Sequence, residues 1–119
     1  MAFDPQSLRY DDKGLIPVVA QDHTSGEVLM VAWMSAESVA RTLETGRVTY
    51  WSRSRRAFWI KGETSGHVQR LVDFRVDCDR DCLLVLVEQT GPACHTNRRT
   101  CFYTAVRGGD EVELMRPEA

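Results

Sequence analysis

Leu15-Ile16-Pro17-Val18-Val19-Ala20-Gln21 is a short apolar run rich in β-branched residues, and Glu27-Val28-Leu29-Met30-Val31-Ala32-Trp33-Met34 is a second. Thr24-Ser25-Gly26 stands between them. Runs of this length bounded by turn residues read as two β-strands joined at that turn. The segment from Ser35 to Glu44 follows directly and has the marks of a helix. Ser35 can cap its start, Glu37 suits its first turn, and Gly46 can end it. Ala36, Val39, Ala40 and Leu43 recur at helical spacing and are expected to face the core.

Beyond Gly46 the pattern returns to strands. Val48 to Ser52 and Ala57 to Lys61 flank the basic run Arg53-Ser54-Arg55-Arg56. Gln69 to Val76 alternates, with Phe74 in phase with Val72 and Val76 and with Leu71 on the opposite face. Cys82 to Val87 is continuously apolar, the signature of a strand buried on both faces. Thr90 to Thr100, with Gly91 and Pro92, reads as a loop. Cys101 to Arg107 and Glu111 to Met115 are the last strands, joined at Gly108-Gly109-Asp110. These elements predict an α+β fold. It is a mostly antiparallel β-sheet with one clear helix and room for a second short one, in a single domain over residues 1–119.

The 119 residues suit one domain, and a hydrophobic fraction of 43% is enough for a core. A domain this small gains from a metal or a partner subunit. A net charge of −2 gives no global attraction to nucleic acid or anionic membrane. The stretch from Met1 to Tyr10 has no basic region followed by an apolar one, and the longest apolar run is too short to span a bilayer. The expected location is cytoplasmic. There, four cysteines are expected to be free, catalytic or metal-bound rather than paired.

The densest chemistry is Asp77-Cys78-Asp79-Arg80-Asp81-Cys82. In an extended segment the three aspartates share one face and Cys78, Arg80 and Cys82 the other. Three close carboxylates repel unless a cation offsets them, and oxygen ligands suit a hard ion such as Mg²⁺. The plain alternative is a solvated acidic turn. An EF-hand is excluded, because Cys82 stands where its sharp turn needs glycine. Cys78, Cys94 and Cys101 form a second group. Three thiolates on zinc leave the fourth position for water, as a catalytic site requires. A structural site would close with a fourth ligand, for which Cys82, His95 and His67 compete. No pair of C-x-x-C knuckles is present, so this is not a zinc finger. Cys82 reads equally as a core residue opening a buried strand.

Taken in order, these segments resemble the phosphoribosyl-AMP cyclohydrolase family. The resemblance runs from about Gly14 to Tyr103. It rests on Gly14 to Gln21, Val28 to Met34, Tyr50-Trp51-Ser52-Arg53-Ser54-Arg55, Lys61-Gly62-Glu63-Thr64-Ser65-Gly66-His67, the aspartate triplet, Ala93-Cys94-His95-Thr96 and Cys101-Phe102-Tyr103. It implies a monofunctional enzyme of histidine biosynthesis that needs Zn²⁺ and Mg²⁺. Cys78, Cys94 and Cys101 match the zinc ligands, and Asp77, Asp79 and Asp81 the magnesium ligands. Cys82 lies outside that metal pattern. Asn97 stands where glycine is common, a tolerable exchange because Asn accepts the left-handed conformation better than most residues. The resemblance also implies a homodimer with a shared zinc site, Cys78 of one chain meeting Cys94 and Cys101 of the other.

The reaction so implied is hydrolysis of the N1–C6 bond in the adenine ring of 1-(5-phosphoribosyl)-AMP. His95, next to a zinc ligand, is the first choice for the general base or acid, and His67 the second, against a structural or substrate-binding role for either imidazole. His23 falls in a turn and is expected on the surface. For the two substrate phosphates the expected partners are Arg53, Arg55 and Lys61, helped by Ser52, Thr64, Ser65 and the amides near Gly62 and Gly66. The alternative for Arg53 to Arg56 is a solvated hairpin tip. Trp51 and Trp59 read as core aromatics. A zinc-dependent nucleobase deaminase is the nearest rival, but its H-x-E and P-C-x-x-C signatures are absent. A non-catalytic zinc-binding RNA module would account for the cysteines and the basic run, but not for the aspartates.

Overall fold

The structure, a computed structural model, describes residues 2–118. Its centre is a four-stranded sheet in the order β2-β1-β6-β5. Strand β1 (Leu15–Asp22) pairs antiparallel with β2 (Val28–Ser35), and β5 (Gln69–Val76) antiparallel with β6 (Leu83–Gln89). The two hairpins join through β1 and β6, which run parallel from Val18 opposite Leu83 to Asp22 opposite Val87. One pair of the sheet is therefore parallel, and the rest follows the expected antiparallel pattern. Pro17 lies one residue before the parallel pairing begins, so its missing N–H costs no bond to β6.

Helix α1 (Ala36–Thr45) starts where its capping signals place it. Ser35 accepts from the Ser38 amide, the Ser38 hydroxyl accepts from the Ser35 amide, and Gly46 closes the helix at φ 73°. Its buried face differs from the expected one. Ser38, Val39 and Thr42 are buried, whereas Ala40 and Leu43 are exposed, Leu43 at 41%. The reason is local satisfaction of polar groups. Ser38 serves the cap, and the Thr42 hydroxyl accepts from the Thr49 amide at 3.0 Å, so both can be buried at little cost. Besides α1, a single 3₁₀ turn at Pro5–Ser7 takes the place of the short second helix.

Strands β3 (Thr49–Ser52) and β4 (Ala57–Ile60) form a separate hairpin, as do β7 (Thr104–Arg107) and β8 (Asp110–Glu113). The core comprises Ile16, Val18 and Ala20 of β1, Leu29, Met30 and Met34 of β2, and Leu83, Val85 and Val87 of β6, with Val39, Val48 and Tyr50. Strand β6 is buried on this face only; Leu84 and Leu86 on the other are half-buried. In β5 a bulge between Leu71 and Asp73 breaks the alternation. It leaves Val72 44% exposed and puts Leu71 with Phe74 and Val76 against the core, contrary to the even alternation expected.

One polar network crosses this core. Gln69 is fully buried; its Oε1 accepts from the Tyr50 hydroxyl at 2.6 Å and its amide nitrogen donates to Gln89 Oε1 at 2.8 Å. Gln69→Leu leaves the buried Tyr50 hydroxyl without its acceptor and is expected to cost about 2 to 3 kcal/mol in urea unfolding. Adding Tyr50→Phe should then recover part of that loss, because the orphaned hydroxyl is gone. A strictly additive double variant would show that the network carries no such energy.

Candidate active site

Asp77 to Cys82 forms the turn between β5 and β6 rather than an extended segment. The Asp77 amide donates to the Cys82 carbonyl at 3.1 Å, and Arg80 takes φ 65°. Asp77 Oδ1 accepts from the amides of Asp81 and Cys82 at 3.0 and 3.1 Å. The three carboxylates still converge, with one oxygen of each within 4.8 Å of the others. It is the wrapping of the turn that gathers them, not strand alternation. Their hydrogen bonds are unequal. The Asp79 hydrogen bond, then desolvation and the charges of Asp79 and Asp77, push Asp81 up to about 6. Desolvation acts to raise Asp77, but its bonds with Asp79 and the Cys82 and Asp81 amides hold it below the usual carboxylate range. Carboxylates that must share protons in this way fit a hard cation. Arg80 ties the turn to the N-terminal segment by donating to the Ser7 hydroxyl at 2.6 Å.

The loop after β6 doubles back on itself. The Ala93 amide donates to the Arg99 carbonyl and the Cys94 amide to the Arg98 carbonyl. Asn97 sits at φ 66°, the left-handed conformation that its side chain tolerates. Both its backbone and its side chain bond to Glu118, and Arg98 lies 3.9 Å over the Tyr103 ring. The loop then meets the edge of β2, where the Cys101 amide donates to the Leu29 carbonyl at 2.7 Å. This path brings Cys94 and Cys101 within hydrogen-bonding reach of each other.

The two thiols differ in character. Burial acts to raise Cys94, but hydrogen bonds from Thr96 and Cys101 and the nearby Lys61 charge outweigh it and hold the thiol below its ordinary pKa. The Thr96 hydroxyl lies 3.0 Å from the sulfur. Protein packed round the Cys101 sulfur, and then Cys94 itself, push Cys101 up to about 11. Two adjacent thiols, one of them lowered, are a ready start for a soft metal ion. Among the described residues Cys78 does not complete a three-thiol group with them within one chain. Cys78 is exposed on the aspartate turn, and Cys82 is half-buried in that same turn. The donor chemistry therefore fits zinc at Cys94 and Cys101 and magnesium at the aspartates, while one chain alone leaves the thiol set a donor short.

Beside Cys94 opens a cleft of about 470 Å³. Arg55, Lys61, Thr64, Ser65, His67 and His95 all line it. Six residues from three separate sequence segments, expected to act on one substrate, thus share one cavity with Cys94, one of the expected zinc ligands. Arg53 does not join them. Its guanidinium lies 4.6 Å over the Trp33 ring, in a different hollow with Lys13, Trp51 and Arg56. His23 is exposed, as expected. His67 is braced from behind by Gly91, where an added Cβ would lie 2.6 Å from the imidazole Cδ2. Trp59, read from the sequence as a core aromatic rather than a residue stacking on the adenine, lines the cleft and packs on Tyr50 at 5.3 Å between ring centroids. Its signal was present: Trp59 and Lys61 are two residues apart near the end of β4, and so share a face. Thr96 was also missed as a partner of Cys94.

A family model described as phosphoribosyl-AMP cyclohydrolase matches residues 30–103. The chain belongs to the phosphoribosyl-AMP cyclohydrolase family. It is 80% identical over 117 residues to the phosphoribosyl-AMP cyclohydrolase of Dinoroseobacter shibae, covering 98% of both chains. It is 77% identical to that of Ruegeria pomeroyi, again over 98% of both, and 77% identical to that of a Jannaschia species over 116 residues. The phosphoribosyl-AMP cyclohydrolase match takes in β2 from Met30 onward, the cleft, the aspartate turn and all three expected zinc cysteines.

Proposed function

We propose that this chain hydrolyses the N1–C6 bond of the adenine ring of 1-(5-phosphoribosyl)-AMP. The product is the ring-opened phosphoribosylformimino aminoimidazole carboxamide ribotide of histidine biosynthesis. The observation that carries this reading is the cleft, which sets His67 and His95 beside Cys94 with Arg55, Thr64 and Ser65 on its walls. In the reaction, water oxygen bonds to C6, the C6–N1 bond breaks, and C6 becomes a carboxamide. Both protons of the water are given up as its oxygen becomes the carboxamide carbonyl, one reaching N1 and the other the exocyclic nitrogen on C6. Cys94 and Cys101 with Cys78 would hold zinc, which when bound would supply Lewis-acid activation of that water. His95, exposed on the loop beside Cys94, accepts or delivers a proton, and His67 is the second such group. Arg55 faces the cleft with a guanidinium suited to a phosphate, and the Thr64 and Ser65 hydroxyls add donors.

Magnesium belongs to Asp77, Asp79 and Asp81. Asp79→Asn and Asp77→Asn should raise the magnesium needed for half-maximal turnover by about tenfold or more while zinc content stays constant, since carboxylates and thiolates select different ions. Unchanged magnesium titrations in both variants would remove the triplet from the site.

The working unit is proposed to be a cytoplasmic homodimer with the zinc site shared between chains. Support comes from the separation of Cys78 from the Cys94–Cys101 pair, and from the outer face of the sheet. There Val19 pairs with Val31 and Leu84, and Val31 is 51% exposed. Among the described residues, no helix is long and apolar enough to cross a membrane.

The deciding experiment incubates the purified protein with 1-(5-phosphoribosyl)-AMP and follows product mass and ammonia. Gain of one water without ammonia is expected. Released ammonia would mean a deaminase, and RNA binding without turnover would mean a binding module.

A further inference from the structure

Lys61 is one of the few charged side chains buried in this fold, with 8% of its surface exposed. Its Nζ donates to the Ala93 carbonyl at 2.5 Å and lies 5.2 Å from the centre of the Trp59 ring. The Lys61 amide is in turn fixed by donation to the Val48 carbonyl at 3.0 Å. Ala93 is the residue before Cys94, and its carbonyl belongs to the peptide that sets the direction of the Cys94 backbone. Burial holds the Lys61 ammonium below its ordinary pKa, and the nearby Cys101 and Cys94 charges act against that loss by favouring the charged form. A lysine that captures a free phosphate needs an exposed ammonium with donors to spare. Arg55 in the same cleft is exposed and answers that description better.

We propose that Lys61 is a positioning residue for the thiol pair rather than a phosphate ligand. It pins the Ala93–Cys94 peptide and places a fixed positive charge beside the two thiolates, so that Cys94 and Cys101 are held ready for zinc. The proposal rests on the assignment of zinc to these cysteines. A buried cation beside a cluster of thiolates offsets their mutual repulsion, and a carbonyl anchored by a charged donor does not rotate away.

The test compares the parent protein with Lys61→Met, which keeps the stem against Trp59 but loses both donor and charge, and with Lys61→Arg, which keeps both. Zinc affinity is read by competition with a chromophoric chelator. Cobalt is substituted for zinc to record the thiolate-to-metal charge-transfer band. KM and kcat are measured at saturating zinc. Lys61→Met should lose about tenfold or more in zinc affinity, the usual effect of removing a partner of a metal ligand. Its cobalt band should weaken, and KM should stay within about threefold of the parent because no substrate contact is lost. Lys61→Arg should recover part of the zinc affinity. Zinc affinity equal to the parent's in Lys61→Met overturns the proposal whatever the kinetics, and a KM raised more than about tenfold beside it would return Lys61 to the phosphate. If Lys61→Met does not fold, as judged by circular dichroism, Lys61→Gln is read in its place, since it loses the charge and shortens the reach to the Ala93 carbonyl. A loss of about tenfold in zinc affinity supports the clamp, and affinity equal to the parent's overturns it. A parent protein that binds no zinc would instead defeat the zinc assignment itself.

Discussion

Cys94→Ala is expected to abolish turnover and to release zinc, with a loss in metal affinity of more than about a hundredfold, beyond what removal of an outer partner costs. Cys94 is buried, with its sulfur bonded by Thr96 and beside Cys101, so its loss removes one of the two thiols that meet within the chain. Cys101→Ala should behave alike. Cys82→Ala is the informative control. Cys82 shares the aspartate turn with Cys78, and its thiol contacts only the Leu83 carbonyl at 3.8 Å among the described hydrogen bonds. Its loss should leave zinc content and turnover essentially unchanged and cost no more than about 1 kcal/mol in stability. Metal analysis beside the activity assay reads all three variants. Loss of zinc from Cys82→Ala as complete as from Cys94→Ala would show that the wrong thiol of the turn had been assigned.

Where the chain's own chemistry dictates structure locally, the sequence was readable. Ser35 and Gly46 bracket α1 because a hydroxyl acceptor and a left-handed residue are needed at those two places and nowhere between. What escaped were features settled by distant partners. Ala40 and Leu43 look like core by spacing, but the helix turns Ser38 and Thr42 inward, because Ser35 satisfies Ser38 at the cap and Thr49, on the following strand, supplies the bonds that let Thr42 be buried. The bulge at Val72 depends on how β5 meets β6, and the parallel pairing of β1 with β6 on how two separate hairpins dock. No window of residues contains that information.

The site divides along the same line. The residue types are the ground for the proposed metals, thiols for zinc and carboxylates for magnesium. The placement of those residues did not follow from spacing. The aspartates converge through a turn and not through strand alternation. Cys94 and Cys101 meet because the loop between them is pinned to Leu29 on one side and to Glu118 on the other. Arg53 and Arg55, two residues apart, part company because residues 53–56 form the turn of the β3–β4 hairpin, where strand alternation does not hold.

The separation of Cys78 from the other two cysteines leads to the second large effect, a recovery rather than a loss. Cys78→Ala and Cys101→Ala should each be inactive alone. If Cys78 of one chain completes the zinc site of its partner, a mixed dimer of the two variants gathers both lesions in one site and leaves the other site whole. Random exchange of subunits makes half of the dimers mixed, so twofold symmetry sets the recovery at about a quarter of the parent activity. Zinc content should rise with it, because a complete site links metal binding to association of the chains. Exchange is first demonstrated with differently tagged chains, and the mixed species is isolated by sequential affinity steps. Isolated mixed dimers should then carry about half the parent activity, one whole site in two. If each site lay within one chain, every site in the mixed dimer would keep a lesion. Verified mixed dimers that stay inactive would therefore refute the shared site while leaving the ring-opening chemistry untouched.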